Sequence, residues 1–185
     1  LTRTNGQVGR IQNKGTEAAE EGINEAVMRE AVIMQMTWPG APTVYYGDEA
    51  GVCGWTDPDN RRTYPWGHED KQMLQFHKEA IRIHKSSTAL RTGSYKMLYT
   101  AWGILAYGRF DEKERYTVIV NNTQDTVNVA IPVWQIGVTD GSRMEQQLMS
   151  SSASFTKVPD IYVVTDGYLM IAMPKTSAVI LKDIG

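Results

Sequence analysis

The sequence predicts an α+β fold in which a helix, a strand and a second helix precede an antiparallel β-sandwich. Two observations support this order. Apolar residues recur at helical spacing in two segments before residue 92. After Thr92 and Gly93 the pattern changes to short alternating runs separated by turn-forming residues, which is typical of an antiparallel sandwich. We therefore expect a domain boundary that divides the chain into residues 1–92 and 93–185.

The first helix is expected over residues 16–37. Thr16 is a possible N-cap, and acidic residues follow it in the first turn. The segment ends in a Trp-Pro-Gly-Ala-Pro stop signal that begins at Trp38. Apolar residues recur at helical spacing between these two points, at Ile23, Val27, Ala31 and Met34.

A strand and a second helix follow. Residues 42–46 form a short β-branched and aromatic run that needs burial on both faces, as a strand of a parallel sheet does. A loop rich in Asp, Pro and Arg comes next, and a helix is expected over residues 69–85. One parallel strand cannot close a sheet alone, so either its neighbours lie elsewhere or an unusual element covers it.

Six alternating runs are expected to build the sandwich, and turn-like segments such as residues 111–114 and 121–125 connect them. The runs lie at residues 95–99, 104–107, 116–120, 127–131, 168–172 and 178–181.

The composition excludes several classes of function. A net charge of -2 offers no basic excess for nucleic acid or an anionic membrane surface. The single cysteine, Cys53, excludes an internal disulfide framework, and the three histidines lack companion ligands at metal spacing, so we expect no metal and no cofactor. No apolar run is long enough to span a bilayer. We favour a cytoplasmic location over a secreted one.

Two motifs carry a resemblance to a known family. Residues 40–51, Gly-Ala-Pro-Thr-Val-Tyr-Tyr-Gly-Asp-Glu-Ala-Gly, and residues 57–61, Asp-Pro-Asp-Asn-Arg, resemble the alpha-amylase superfamily of glycoside hydrolases. The neopullulanase, cyclomaltodextrinase and maltogenic amylase group is the nearest. The resemblance implies the last helix-strand-helix of a (β/α)8 barrel, with residues 42–46 as its eighth strand, followed by a C-terminal β-sandwich domain.

The same resemblance implies retaining hydrolysis of alpha-glucans or maltooligosaccharides by a bacterial-type enzyme. Such a mechanism needs two carboxyl groups about 5 Å apart. The family's three catalytic carboxylates would lie before Leu1, so we expect the chain alone to be an inactive portion of the enzyme. Two alternatives remain open: a carbohydrate-binding protein without catalysis, and a structural domain that oligomerises or swaps through an exposed barrel edge.

Four residues are candidates for substrate binding. Asp57 and Arg61 resemble the family's Asp and Arg that hold a sugar, because a carboxylate and a guanidinium fork suit vicinal hydroxyls. The alternative is that they pair to hold the loop. Trp55 could stack on a pyranose face or pack the loop. Glu49 is expected to brace the loop, with sugar contact as the alternative.

Other polar and aromatic residues are expected to be structural. We expect Trp66 to pack the loop onto the barrel, and Tyr45 and Tyr46 to face the core or support the framework. His77 and His84 should be ordinary, partly exposed side chains. A starch-binding surface formed by Trp102 and Trp134 is the weaker alternative to packing in the core or at a domain interface.

Overall fold

A computed structural model describes residues 19–54, 57 and 60–185. Its first helix, α1, spans Glu25–Thr37 and begins later than the sequence predicts. The Asn24 side chain caps it by accepting a hydrogen bond from the Ala26 amide at 3.1 Å. Gly22, with φ 65°, turns the chain just before this cap, so the helix cannot continue from the expected start. Thr16, the expected N-cap, lies outside the described residues.

Helix α1 carries two apolar faces. Val32, Ile33 and Met36 are buried in a core that the helices share with the sandwich. The other face is the one that the sequence spacing singles out, and it is only partly buried. Together with residues 38–43 it lines an apolar groove of about 860 Å³, to which it contributes Val27, Ala31 and Met34.

The expected strand at residues 42–46 does not form. Residues 41–45 have no regular secondary structure, and no described segment pairs with them. A strand needs a neighbour that shares its backbone hydrogen bonds, so the β-branched run alone is insufficient. Val44 packs against the helical core, whereas Tyr45 and Tyr46 are 48% and 46% exposed. The prediction of a strand buried on both faces is therefore wrong for this chain.

Two helices follow the loop. Helix α2 spans Lys71–Ser86, close to the expected range, and Asp70 caps it by accepting bonds from the amides of Gln72 and Met73 at 2.8 and 2.9 Å. Helix α3, Thr88–Thr92, was not predicted because its five residues are too few to show a period. Among the described residues, no helix combines the length and the apolarity needed to cross a membrane.

The described chain after α3 is mostly antiparallel sheet. One sheet has the strand order β1-β2-β3-β9-β5-β6, with β7 also pairing with β5, and β4 and β8 form a second, two-stranded sheet. These observations confirm the α+β class and the antiparallel sandwich. The strands are β1 Ser94–Ala101, β2 Ile104–Phe110, β3 Arg115–Asn121, β4 Val127–Ile131, β5 Arg143–Ser150, β6 Phe155–Thr156, β7 Ile161–Val163, β8 Leu169–Met173 and β9 Ser177–Asp183.

The alternating sequence pattern did not predict strands β5, β6 and β7. In β5 every second side chain is buried, but two of these inward side chains are polar, Gln146 and Ser150. Each has a partner: the Gln146 side chain donates to the Val158 carbonyl at 2.9 Å, and the Ser150 hydroxyl accepts from the Ala178 amide at 2.9 Å. Buried polar groups that are satisfied in this way hide the alternation that marks a strand.

The large sheet separates two cores. The helices pack on one face, through residues such as Tyr107, Tyr116 and Val118. The β4–β8 sheet packs on the other face, where Ile119 and Val179 point. The described chain is therefore a three-layer arrangement of helices, large sheet and small sheet.

Two buried arginines join the layers. Arg109, on β2, donates to the carbonyls of Thr37, Gly93 and Ser94 at 2.6, 3.1 and 3.3 Å. It thereby satisfies the C-terminal end of α1, whose last carbonyls have no partner within the helix. Arg29, on α1, donates to the Ser151 carbonyl at 3.3 Å. Hydrogen bonds thus cross the border between helices and sandwich in both directions.

Candidate functional site

The candidate site is the loop between residues 46 and 68, which contains the second half of the first family-like motif and the whole of the second. Gly47 and Gly51 take left-handed conformations with φ 95° and 75° on either side of a short 3-10 helix, Asp48–Ala50. A Cβ at Gly51 would lie 2.9 Å from the Asp70 Cβ, so the turn lies directly against the cap of α2. The two glycines of the Gly-Asp-Glu-Ala-Gly motif are therefore required by backbone geometry.

Glu49 is part of this turn. Its Oε2 accepts a hydrogen bond from the Gly47 amide at 2.9 Å, which is the bracing contact expected of it. Its neighbour Asp48 is partly buried, and burial raises the pKa of that carboxyl; nearby His77 lowers it and Glu49 raises it further. A role for Glu49 in sugar contact stays a prediction.

Asp57 and Arg61 form a two-pronged ion pair. The Arg61 Nε donates to Asp57 Oδ1 and the Arg61 Nη2 to Asp57 Oδ2, both at 2.8 Å. The side chains are 65% and 60% exposed for Arg61 and Asp57 respectively. The pair thus fixes the orientation of two charged groups while leaving them open to solvent. Trp55, the fourth candidate, lies outside the described residues.

The remaining aromatic residues of the loop differ from expectation. Trp66 is 79% exposed, so it does not pack the loop onto other elements; its ring contacts Tyr64 with centroids 4.5 Å apart. Tyr46 does not face the core either, but its hydroxyl donates to the Arg62 carbonyl at 2.8 Å and links the two ends of the loop. Its role in the framework is therefore confirmed, whereas burial is not.

A cavity of about 270 Å³ lies beneath the loop. Among its lining residues are Tyr46, Asp48, Cys53 and Asn60, and the Asn60 Oδ1 is buried without a hydrogen-bond partner. Asp57 and Arg61 do not line it. Sequence reasoning left Asn60 out, although its place inside the Asp-Pro-Asp-Asn-Arg motif was the available signal.

The histidines are more deeply placed than expected. His77 is 1% exposed, with its Nδ1 3.0 Å from the Met73 carbonyl, because it occupies the buried face of α2. The His84 Nδ1 lies 2.7 Å from the Met36 carbonyl and so connects α2 to the end of α1. Within the described part of the chain, no group of three or more His, Cys, Asp or Glu residues could hold a metal ion.

Comparisons with known proteins give relatives for nearly the whole chain. The amylopullulanase of Thermoanaerobacter thermohydrosulfuricus is 31% identical over 185 residues, which cover 94% of this chain and 12% of that protein. Neopullulanase 2 of Thermoactinomyces vulgaris is 34% identical over 120 residues, which cover 63% of this chain and 20% of that protein. The chain therefore spans only a small share of the length of these relatives. No protein-family model matches it.

Solved structures show the same fold. The alpha-amylase of Geobacillus thermoleovorans, complexed with acarbose, matches with a TM-score of 0.76 at 22% identity and covers 92% of this chain and 36% of that one. An Anoxybacillus alpha-amylase matches with a TM-score of 0.74 at 24% identity, covering 94% of this chain and 34% of that one. The relatives and the shared fold confirm the resemblance to the alpha-amylase family, in which the chain is similar to a C-terminal portion with the antiparallel β-sandwich.

Proposed function

We propose that this chain is part of a retaining glycoside hydrolase that acts on alpha-glucans. Within that enzyme the chain contributes a sugar-binding contact through Asp57 and Arg61. The observation that carries the proposal is the solvent-facing, two-pronged pair in a loop that matches the family's motif. The names of the relatives, amylopullulanase and neopullulanase, support the class of substrate.

The chemistry of the pair suits a sugar. A guanidinium has five N–H donors, and two of Arg61's serve Asp57, which leaves three for hydroxyl oxygens. The Asp57 carboxylate has further lone pairs that accept from hydroxyls. Charge-assisted hydrogen bonds of this kind are the stronger ones, and the ion pair orients both groups before the ligand arrives.

Hydrolysis itself would come from carboxylates outside this chain. The retaining mechanism requires a nucleophile and an acid/base about 5 Å apart on opposite sides of the anomeric carbon. Asp57 already engages both of its oxygens with Arg61, and Glu49 is held by the Gly47 amide. We therefore propose that the chain alone releases no reducing sugar from starch or pullulan.

Titration calorimetry with millimolar maltotriose tests the sugar contact. We expect saturable heat for the unmodified protein and none for Asp57→Ala or Arg61→Ala. Arg82→Ala is the control, because Arg82 is an exposed arginine on α2 that also forms an ion pair, with Glu79 at 2.9 Å. If both loop variants bind maltotriose like the unmodified protein, the pair only holds the loop and the proposed contact is wrong.

A second proposal concerns assembly. The apolar groove beside α1 and residues 41–45, which pair with no described strand, support association with a second copy of the chain, which would cover both. Light scattering should show a mass that rises with protein concentration, and Met34→Glu, which puts a charge in the groove, should abolish the rise. A constant monomer mass over a wide concentration range would contradict this proposal.

A further inference from the structure

Two tryptophans of the sandwich, Trp102 and Trp134, are exposed and do not pack in the core, which was one of the two placements expected of them. Trp102, at the tip of the β1–β2 hairpin, is 96% exposed, and Trp134, in a 3-10 helix after β4, is 56% exposed. The two differ in their surroundings. Trp134 is seated on a neighbouring turn, so its indole is fixed in place although more than half of it faces solvent.

Gly167 provides this seat. The Trp134 amide donates to the Gly167 carbonyl at 3.2 Å. A Cβ at Gly167 would lie 3.1 Å from both Cβ and Cδ1 of Trp134, so the indole rests against bare backbone. Asp166 and Gly167, with φ 53° and 78°, form a two-residue turn closed by hydrogen bonds between Thr165 and Tyr168. The turn therefore sets Trp134 and Tyr168 at the same end of the small sheet.

The outer face of the β4–β8 sheet lies next to the rings of Trp134 and Tyr168. Side chains alternate along β8, so exposed Met170 lies on the same face as Tyr168, which is 41% exposed. On β4, Asn128 is exposed opposite Ala172. Neither β4 nor β8 contains a charged residue. Two carboxylates lie at the turn before β8: Asp166 is part of that turn, and Asp140 accepts a hydrogen bond from the Gly167 amide at 3.4 Å.

We propose that this outer face, defined by Trp134, Tyr168, Met170 and Asn128, binds a neutral oligosaccharide of the alpha-glucan type. Aromatic rings offer flat apolar area for the C–H faces of a sugar, and the amide and carboxylate exchange hydrogen bonds with hydroxyls. A face without lysine or arginine gives an anionic polymer no attraction, whereas it suits an uncharged chain. The choice of glucan rests on the proposed function.

The surface is separate from the Asp57 loop. The small sheet lies on one side of the large sheet, and the helices that support the loop lie on the other. A substitution at one place should therefore leave the other unchanged, since sites that share no partners behave additively. The surface would hold a glucan chain while other residues of the enzyme act on it.

The test is a titration of the ¹⁵N-labelled protein with maltoheptaose, followed through the indole N–H signals of its tryptophans. We expect the Trp134 signal to shift saturably, and the affinity to fall at least tenfold in Trp134→Ala and in Tyr168→Ala. Trp102→Ala is the matched control and should bind normally. Circular dichroism checks that each variant is folded, and the shift in the unmodified protein does not depend on any variant.

The outcomes separate this inference from the proposed function. If maltoheptaose still shifts the Trp134 indole signal in Asp57→Ala, sugar binding at the outer face is supported even if the loop binds no sugar. Binding that leaves the Trp134 signal in place, or that survives in both aromatic variants, overturns it. A Trp134 signal that moves with protein concentration and not with maltoheptaose would identify the face as a contact between two copies, which also overturns it.

Discussion

Replacement of Glu30 by Gln should raise the free energy of unfolding at neutral and alkaline pH. Glu30 lies on α1 beside the apolar groove and is 3% exposed. Its Oε2 accepts a hydrogen bond from the Asn122 side chain at 2.5 Å, and its Oε1 is buried without a partner. Burial raises the pKa of this carboxyl from 4.5 to about 7, although the bond from Asn122 opposes the rise.

The sign of the pH effect follows from this shift. Between pH 4.5 and about 7 the folded state binds a proton that the unfolded state has lost. Stability is therefore complete below the unfolded pKa and falls as the pH rises through the folded pKa. At 1.36 kcal/mol per unit, the rise corresponds to about 3 kcal/mol, an upper value because the groove admits water to the charged form.

Urea denaturation at several pH values from 4 to 8 measures this effect. Glu30→Gln cannot ionise, yet its side-chain oxygen can still accept from Asn122. We expect the variant and the unmodified protein to agree at pH 4, and the variant to be about 2 kcal/mol more stable at pH 8. Glu112→Gln, at an exposed turn position, is the control and should follow the unmodified protein. Parallel stability curves for all three proteins would refute the assignment of the raised pKa to Glu30.

Two further predictions concern stability. A Cβ at Gly93 would lie 2.5 Å from the Ala89 carbonyl and 2.6 Å from the Phe110 carbonyl, so Gly93→Ala should cost about 3 kcal/mol in urea denaturation. A Cβ at Gly141 would meet no atom within 4 Å, so Gly141→Ala should lower the free energy of unfolding by about 1 kcal/mol, through its left-handed backbone alone. Equal losses of stability in the two variants would contradict the steric argument. Bonds from Lys157 and Arg82 lower the pKa of Glu79, so this carboxylate adds stability above pH 4.5 that is lost as the pH falls. Glu79→Gln should therefore cost about 1 kcal/mol at pH 7 and nothing at strongly acidic pH, and a loss that does not depend on pH would count against the ion pairs.

Sequence periodicity was sufficient for much of the fold. Helix α2 and strands β1–β4, β8 and β9 show apolar patterns that burial alone imposes, and they lie close to their expected positions. The apolar pattern does not predict a strand where the buried side chains are polar, as at Gln146 in β5. It also fails at residues 42–46, where β propensity is high but no described strand pairs with the segment.

The candidate site could be predicted in part. The ion pair of Asp57 and Arg61, which was the alternative to sugar contact, is present, and the sugar contact that the motif implies stays a prediction. The exposure of Trp66 and Trp134 could not be predicted, because composition shows that a residue is apolar but not which side of an element it faces. The close approach of Gly167 to the Trp134 indole is a contact between distant residues that no sequence pattern shows.

The two buried arginines have a consequence for protein engineering. Arg109 and Arg29 tie the helices to the sandwich, and Tyr107, Tyr116 and Val118 lie in a core to which both contribute. A sandwich cut out at Gly93 would expose these side chains and would leave the Arg109 guanidinium without the Thr37 carbonyl as its hydrogen-bond acceptor. The segment to exchange between enzymes as one unit is therefore the sandwich together with α1, α2 and α3. Chimeras joined before α1 should be better expressed than chimeras joined at residue 93.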